Sequence, residues 1–305
     1  MTTPWTTKRL LTGAGLLGAL ALGACSDTTG TNAATTLDAA GANELAAVID
    51  EDAGAFADAS TYDATHGIRM DVFGPGGGGS PARMLGRLPC RPVPSPANPP
   101  NLDGDRVPDA VLLDFTGVEC SVGGVTVAMN GTLGIEDPAI PGFGVRFIFT
   151  DLSKTVSRDA DSASKSVVWN GTRQIVGSPS NPGSQLTHTI TNFTTSIVFP
   201  NGNTAEHMKN WNGAFVADVP GTIEHGSRLP SGAWTFDGNG TWVRNGTATY
   251  SVTVQTTTPL HFNADCTVAP RFDAGVIVAQ VTRNGESTTV TIEHPQCGQK
   301  IITRS

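Results

Sequence analysis

The chain has 305 residues and a formal net charge of −8, with only 15% of its residues charged. No run of clustered Lys and Arg occurs in it, which argues against nucleic acid as a partner. The acidic balance likewise argues against electrostatic adhesion to anionic lipid headgroups.

Near the start, Lys8 and Arg9 precede an uncharged apolar run from Leu10 to Leu22. That run is too short to span a bilayer, which needs ~20 apolar residues. A basic segment, a short apolar segment and small residues at the exit describe an export signal. The exit itself, Leu22-Gly23-Ala24-Cys25, resembles the bacterial lipobox. The resemblance implies diacylglycerol on the Cys25 thiol, cleavage before Cys25 and an acylated new terminus. Ser26 in the following position implies sorting to the outer membrane in a cell with two membranes. Several acyl chains, at ~0.8 kcal/mol per buried CH₂, anchor a protein stably without a transmembrane helix. Residues 1–24 are thus read as a signal peptide, leaving 281 mature residues (305 minus 24). No second hydrophobic span follows.

Residues 25–41, rich in Thr, Ala, Asn and Gly, read as a flexible tether. Over 42–60, Leu45, Val48, Ile49 and Phe56 recur at roughly helical spacing, and Asn43 suits the N-cap. One short acidic helix is expected there, packed on the main domain or projecting freely. Residues 61–101 read as a Gly/Pro-rich linker. Its end, PCRPVPSPANPPN, carries six prolines and is expected to join neither ladder nor helix.

At the entry to the next region, residues 102–305, stands NLDGDRVPDAV. Asn101, Asp103, Asp105, the Val107 carbonyl and Asp109 fall at alternate positions, the spacing of oxygen ligands in a calcium loop. The segment resembles the loops of thrombospondin-type-3-like repeats. Arg106 replaces their turn glycine, and Leu112 stands where an EF-hand-type loop has its bidentate Glu. Calcium is the one candidate cofactor, against the alternative of an acidic turn opening the first strand.

From about Val107, Thr, Val, Asn and Gly dominate and period-two alternation recurs. TATYSVTVQT (247–256) places Ala248, Tyr250, Val252 and Val254 on one face and hydroxyl residues on the other, the pattern of a half-buried antiparallel strand. VRFIFTDLS from Val145 is apolar on both faces. The Asn284-Gly285 pair between GVIVAQV and TTVTIEH is a strong hairpin signal. A weak repeat of about 40 residues relates Trp169-Asn170-Gly171 to Trp211-Asn212-Gly213. The Asn-Gly-Thr triplets at 130, 170 and 245 read as turns needing positive φ. The expected fold is all-β: an antiparallel meander sheet forming a sandwich or an open barrel, with one short N-terminal helix.

Cys90, Cys120, Cys266 and Cys297 remain after Cys25, an even number suited to an oxidising compartment. Pairings Cys90–Cys120 and Cys266–Cys297 are expected because each brackets one contiguous segment. Zinc is disfavoured, because no CxxC spacing exists and the histidines are scattered.

No GxSxG, HExxH or P-loop occurs, so no enzymatic activity is expected. Glu206-His207 and Glu224-His225 read as solvated residues, and His188 and His294 as structural strand histidines. Trp169, Trp211, Trp234 and Trp242 suit the core better than a sugar-stacking face. The whole pattern resembles uncharacterised bacterial surface lipoproteins, a class that implies location and architecture but brings no activity. The expectation is a lipid-anchored protein of the cell envelope, at the outer membrane, with a non-enzymatic structural or binding role and a glycan or an envelope protein as partner. Two alternatives are kept. One is a periplasmic carrier of an apolar ligand on a concave sheet. The weaker one is a glycan-active hydrolase using Asp218 and Glu224.

Overall fold

The computed structural model describes residues 37–59, 92–102, 107–122, 124–138, 144–158, 161–224, 229–268 and 271–305. One helix, α1 (Ala39–Ala59), precedes thirteen strands among these residues. The strands are β1 (Val93–Ser95), β2 (Ala110–Asp114), β3 (Val118–Val122), β4 (Val125–Glu136), β5 (Gly144–Arg158), β6 (Asp161–Gly177) and β7 (Gln185–Val198). They continue as β8 (Thr204–Ala217), β9 (Gly232–Arg244), β10 (Ala248–Phe262), β11 (Phe272–Arg283), β12 (Glu286–Glu293) and β13 (Ile301–Arg304). All belong to one antiparallel sheet that runs in chain order from β4 to β13, with β2 and β1 continuing it beyond β4 and β3 pairing with β4 off the main path. The sheet is not closed into a barrel. The expected all-β meander is therefore present, as a single open sheet.

Alternation sets which face is buried. On β10, Tyr250, Val252 and Val254 are buried while Thr249, Ser251 and Thr253 are exposed. On β5, Val145, Phe147 and Phe149 point inward. The hairpin between β11 and β12 pairs Arg283 with Glu286 across Asn284 (φ 53°) and Gly285 (φ 83°), the double positive φ of the tight turn that matches strand twist. Asn245 (φ 52°) and Gly246 (φ 65°) turn β9 into β10 through a three-residue connection that pairs Arg244 with Ala248.

The Asn-Gly-Thr triplets at 130 and 170 are not turns. Gly131 and Gly171 lie inside β4 and β6, where the register with the next strand slips at Asn130/Thr132 and at Asn170/Thr172. They are β-bulges, which bend a strand and increase its twist. Opposite them, Asp151 and Asn192 also take positive φ, and neighbouring asparagines secure them: Asp151 N–H donates to Asn170 Oδ1 at 2.7 Å, and Asn192 N–H to Asn210 Oδ1 at 2.8 Å. A Cβ on Gly131 would lie 2.2 Å from the Asp151 carbonyl oxygen, so close approach as well as φ demands glycine. The 40-residue repeat is thus the period of two long bent strands, with one bulge marking each copy.

Two expectations about the N-terminal half are corrected. The proline-rich end of the linker does join the ladder: Val93, Pro94 and Ser95 pair with Asp114, Leu113 and Leu112. Pro94 lacks a donor, but β1 is an edge strand and an outward position there needs none. The helix begins at Ala39, inside the segment read as tether, where Asp38 Oδ1 accepts the Gly41 N–H at 2.6 Å and acts as the cap in place of Asn43.

Helix α1 is buried on most of its circumference. Ala42, Leu45, Ala46, Val48, Ile49 and Ala53 are each at most 2% exposed and belong to the same core as the inner face of the sheet. Asn43 and Ala47, one turn apart, form the exposed line. Full burial of a Leu, Val or Ile side chain contributes roughly 1.5–3 kcal/mol, so Leu45, Val48 and Ile49 together supply roughly 5–9 kcal/mol toward seating the helix.

Candidate functional site: the ion cluster beneath the helix

The helix is acidic, and its carboxylates meet bases on the sheet. At its start, Glu44 accepts from Arg244 Nε at 2.7 Å and from Asn203 Nδ2 at 3.2 Å, while Asp38 accepts from Arg244 Nη1 at 3.1 Å. The Arg304 guanidinium donates to the Leu37 carbonyl, joining β13 to the same end. Further along, Asp50 accepts from Lys300 Nζ at 2.8 Å and lies 3.4 Å from His294 Nε2. These four basic residues come from β9, β13 and the β12–β13 connection, so the sheet grips the helix from several directions.

Asp52 sits deepest among these contacts. It pairs directly with Lys209 of β8, lies 3.5 Å from Arg173 of β6 and 3.6 Å from His207 Nδ1 of β8. The side chains of Lys209, Arg173 and His207 are 0%, 4% and 1% exposed, so this is an ion cluster out of water. Lys209 Nζ also donates to Thr195 Oγ1 at 3.0 Å. Aromatic faces complete the enclosure: the Arg173 guanidinium lies 4.8 Å and Lys209 Nζ 5.0 Å from the centre of the Phe193 ring, and Lys209 lies 5.4 Å from that of Trp211. A cation over a ring face is attracted by its quadrupole.

Electrostatics fix the protonation states. Burial alone would raise the Asp52 carboxyl, but Lys209, His207 and Arg173 overcome it and hold the group well below the usual carboxylate range. Burial drives His188 in the opposite sense, helped by Arg173 and Lys209, well below its ordinary value. His207 is lowered chiefly by burial, against the pull of Asp52. Both imidazoles are neutral at pH 7. His207 Nε2 and the Trp211 indole N–H have no hydrogen-bond partner among the described residues. A cavity large enough for about one water molecule lies beside the cluster, walled by Asp52, Ala53, His188, Ile190, Trp211 and Trp234 among others.

A second polar cluster lies at the edge of the domain. His261 of β10 contacts Asp273 Oδ1 of β11 through Nδ1 at 2.6 Å and Asp218 Oδ2 through Nε2 at 2.9 Å. Asn263 Nδ2 donates to the other Asp273 oxygen at 2.7 Å. Partial burial opposes the imidazolium, but the two carboxylates outweigh it and raise the His261 pKa.

No family model, curated protein or solved structure matches the chain. The fold and these contacts therefore carry the argument alone.

The residues singled out in the sequence are distributed as follows. Cys25, Cys90, Asp103 and Asp105 lie outside the described residues. Cys266 and Cys297 form the expected disulfide, with Cα atoms 5.8 Å apart, and Cys120 is disulfide-bonded as well. Of the calcium loop, Val107 is buried in the core, and Asp109 Oδ1 accepts the Leu102 N–H at 3.0 Å while its own N–H donates to the Pro100 carbonyl. Those contacts tie Pro100 and Leu102, on either side of Asn101, to Asp109. Trp169, Trp211, Trp234 and Trp242 are all core residues. His207 is not solvated; only its neighbour Glu206 is exposed, because adjacent strand residues face opposite ways. Asp218 is engaged by His261, and Glu224 lies exposed on the β8–β9 connection.

Asp52, Arg173 and Lys209 were not anticipated as a group. A signal did exist on β8: Ala205, His207, Lys209 and Trp211 share one parity, so two basic residues alternate with core residues.

Proposed function

We propose that the chain is a lipid-anchored protein of the cell envelope with a non-enzymatic binding role, exposed at the outer membrane. The observation that supports it best is that one open sheet wraps its own helix, burying carboxylates against paired bases. Such an arrangement suits the enclosure of a guest. The Leu22-Gly23-Ala24-Cys25 motif supplies the anchoring half of the reading. Mass spectrometry of the mature N-terminal peptide tests it: an acylated Cys25 terminus is expected, and Cys25→Ala should abolish both acylation and cleavage before residue 25. A Cys25→Ala chain still cut at that bond and still sedimenting with membranes would overturn the anchor.

Within this class, the carrier of an apolar ligand gains support from the occupant of the concave face. That occupant is a helix with an apolar face whose carboxylates are paired with bases, not a set of side chains from a second sheet. The hydrolase reading is the weakest, since Asp218 is tied to His261.

A further inference from the structure

We infer that the nest formed by Lys209, Arg173, His207 and Thr195 is a binding site for the carboxylate of a long-chain amphiphile, held in this state by Asp52 of α1. The inference rests on the carrier reading above and adds to it the class of ligand. Three observations on the inner face carry it.

The first is the chemistry of the occupant. Asp52 presents one carboxylate to two cations and an imidazole, and Leu45, Val48 and Ile49 continue from it along the same helix face as an apolar body, while Glu44 and Asp50 pair with other bases. From Ala42 to Ala53 that body is about 17 Å long at 1.5 Å per residue. A carboxylate head on an apolar chain reproduces both features. The second is energetic. A buried ion pair seldom stabilises a fold more than apolar residues of the same volume would. Apolar side chains at 52, 173 and 209 would hold the helix at least as well, so the cations are better explained by recognition of an anion than by stability. The third is a set of polar atoms the helix leaves unused. The Trp211 N–H and His207 Nε2 are buried, have no hydrogen-bond partner among the described residues, and belong to side chains around Asp52 and the adjoining water-sized cavity. A ligand head larger than a side-chain carboxyl, or a head with a water, would use them.

Exchange of one carboxylate for another keeps both cations paired, so the large cost of an empty nest is never incurred. The displaced helix has a place to go if Cys25 is acylated. Cys25 and Ala39 are 14 positions apart (39 minus 25), a tether short enough that the apolar stripe of a released α1 could be buried in the interface.

The test uses the full chain with Cys25→Ser, so that no acyl group of its own competes, and a fluorophore at Ala47→Cys on the exposed line of α1. Oleate and methyl oleate are titrated in parallel, with acetate as the head alone. The expected result is saturable oleate binding at least tenfold tighter than methyl oleate, with release of the fluorophore's motion and a change in tryptophan emission. Acetate at the same concentrations should do neither. Lys209→Gln loosens α1 for both lipids, but it should cut the preference for oleate over methyl oleate at least tenfold. Equal affinity for oleate and methyl oleate would overturn the carboxylate site while leaving an apolar carrier standing. Failure of the unmutated nest to bind either lipid would overturn both readings.

Discussion

Replacing Asp52 by asparagine removes one charge and almost no volume, and so isolates the electrostatic role of the helix. Lys209 and Arg173, 0% and 4% exposed, would be left without the carboxylate that faces them. Removing one partner of a buried pair typically costs 3–5 kcal/mol, because the remaining charge stays out of water. For a domain of this size, 1 kcal/mol corresponds to roughly 2–4 °C, so Asp52→Asn should lower Tm by roughly 6–20 °C. Urea titration followed by circular dichroism supplies the free energy, and Ala47→Ser on the exposed side of the same helix is the control, expected within ~0.5 kcal/mol of the parent. A double variant, Asp52→Asn with Lys209→Met, should be less destabilised than the sum of its parts by 0.5–3 kcal/mol. A loss below ~1 kcal/mol for Asp52→Asn, or strict additivity in the double variant, would show that the cluster is hydrated and that the helix is held by its apolar stripe alone.

Acid should destabilise the fold from about pH 6.5 downward, the ordinary range of histidine. His188, His207 and His294 all have folded pKa values lowered, chiefly by burial, so the unfolded chain takes up protons that the folded chain refuses. Stability contributed by such groups is present above the unfolded pKa and falls as pH drops, by up to ~1.4 kcal/mol per pH unit for each group while it stays neutral in the fold. His261 has the opposite sign: its raised pKa adds stability at low pH that is lost as pH rises through the folded value, so His261→Asn should cost stability at pH 6 and little at pH 9. Melting curves between pH 5 and 9 check both. Gly131→Ala should destabilise by more than ~2 kcal/mol through its φ of 89° and its 2.2 Å clash, whereas Asn43→Ala on the exposed side of α1 should be nearly neutral, since Asp38 holds the cap. Reducing Cys266–Cys297, 31 residues apart, should cost roughly 2–4 kcal/mol, measured by denaturant titration with and without reductant. Calorimetric titration with calcium checks the loop at Asn101, Asp103, Asp105, Val107 and Asp109. A bound ion at ~10⁻⁴–10⁻³ M would make it a site of the extracellular type, and no heat at millimolar calcium would leave an acidic turn.

Much of this was written in local pattern. Tyr250, Val252 and Val254 announce a half-buried strand by parity alone, and Asn284-Gly285 announces its hairpin because only that φ pair fits the twist. Asn-Gly at 130 and 170 carries the same chemistry in a different place. Positive φ serves a bulge as well as a turn, and only the pairing partner, Asp151 or Asn192, distinguishes them. Pro94 shows the same limit, since a missing donor forbids an inner strand but not an edge. The helix was legible through Leu45, Val48 and Ile49, yet its burial on nearly all sides was not, because that depends on how far the bulged strands curl around it. The ion cluster is the least local feature of all. Asp52 and Lys209 are 157 residues apart, and their meeting is set by the register of β6, β7 and β8, whose two shared ladders carry one bulge each.

Amide hydrogen exchange along α1 tests the central claim most directly, namely that the helix is an ion-paired insert in the concave face of an open sheet. In the unmodified chain at pH 7, the amides of Leu45 to Ala53 should exchange as slowly as those of β8 and β10. In Asp52→Asn they should speed up well before the strand amides do. Exchange of the α1 amides at unfolded rates in the unmodified chain, with the sheet fully protected, would contradict it.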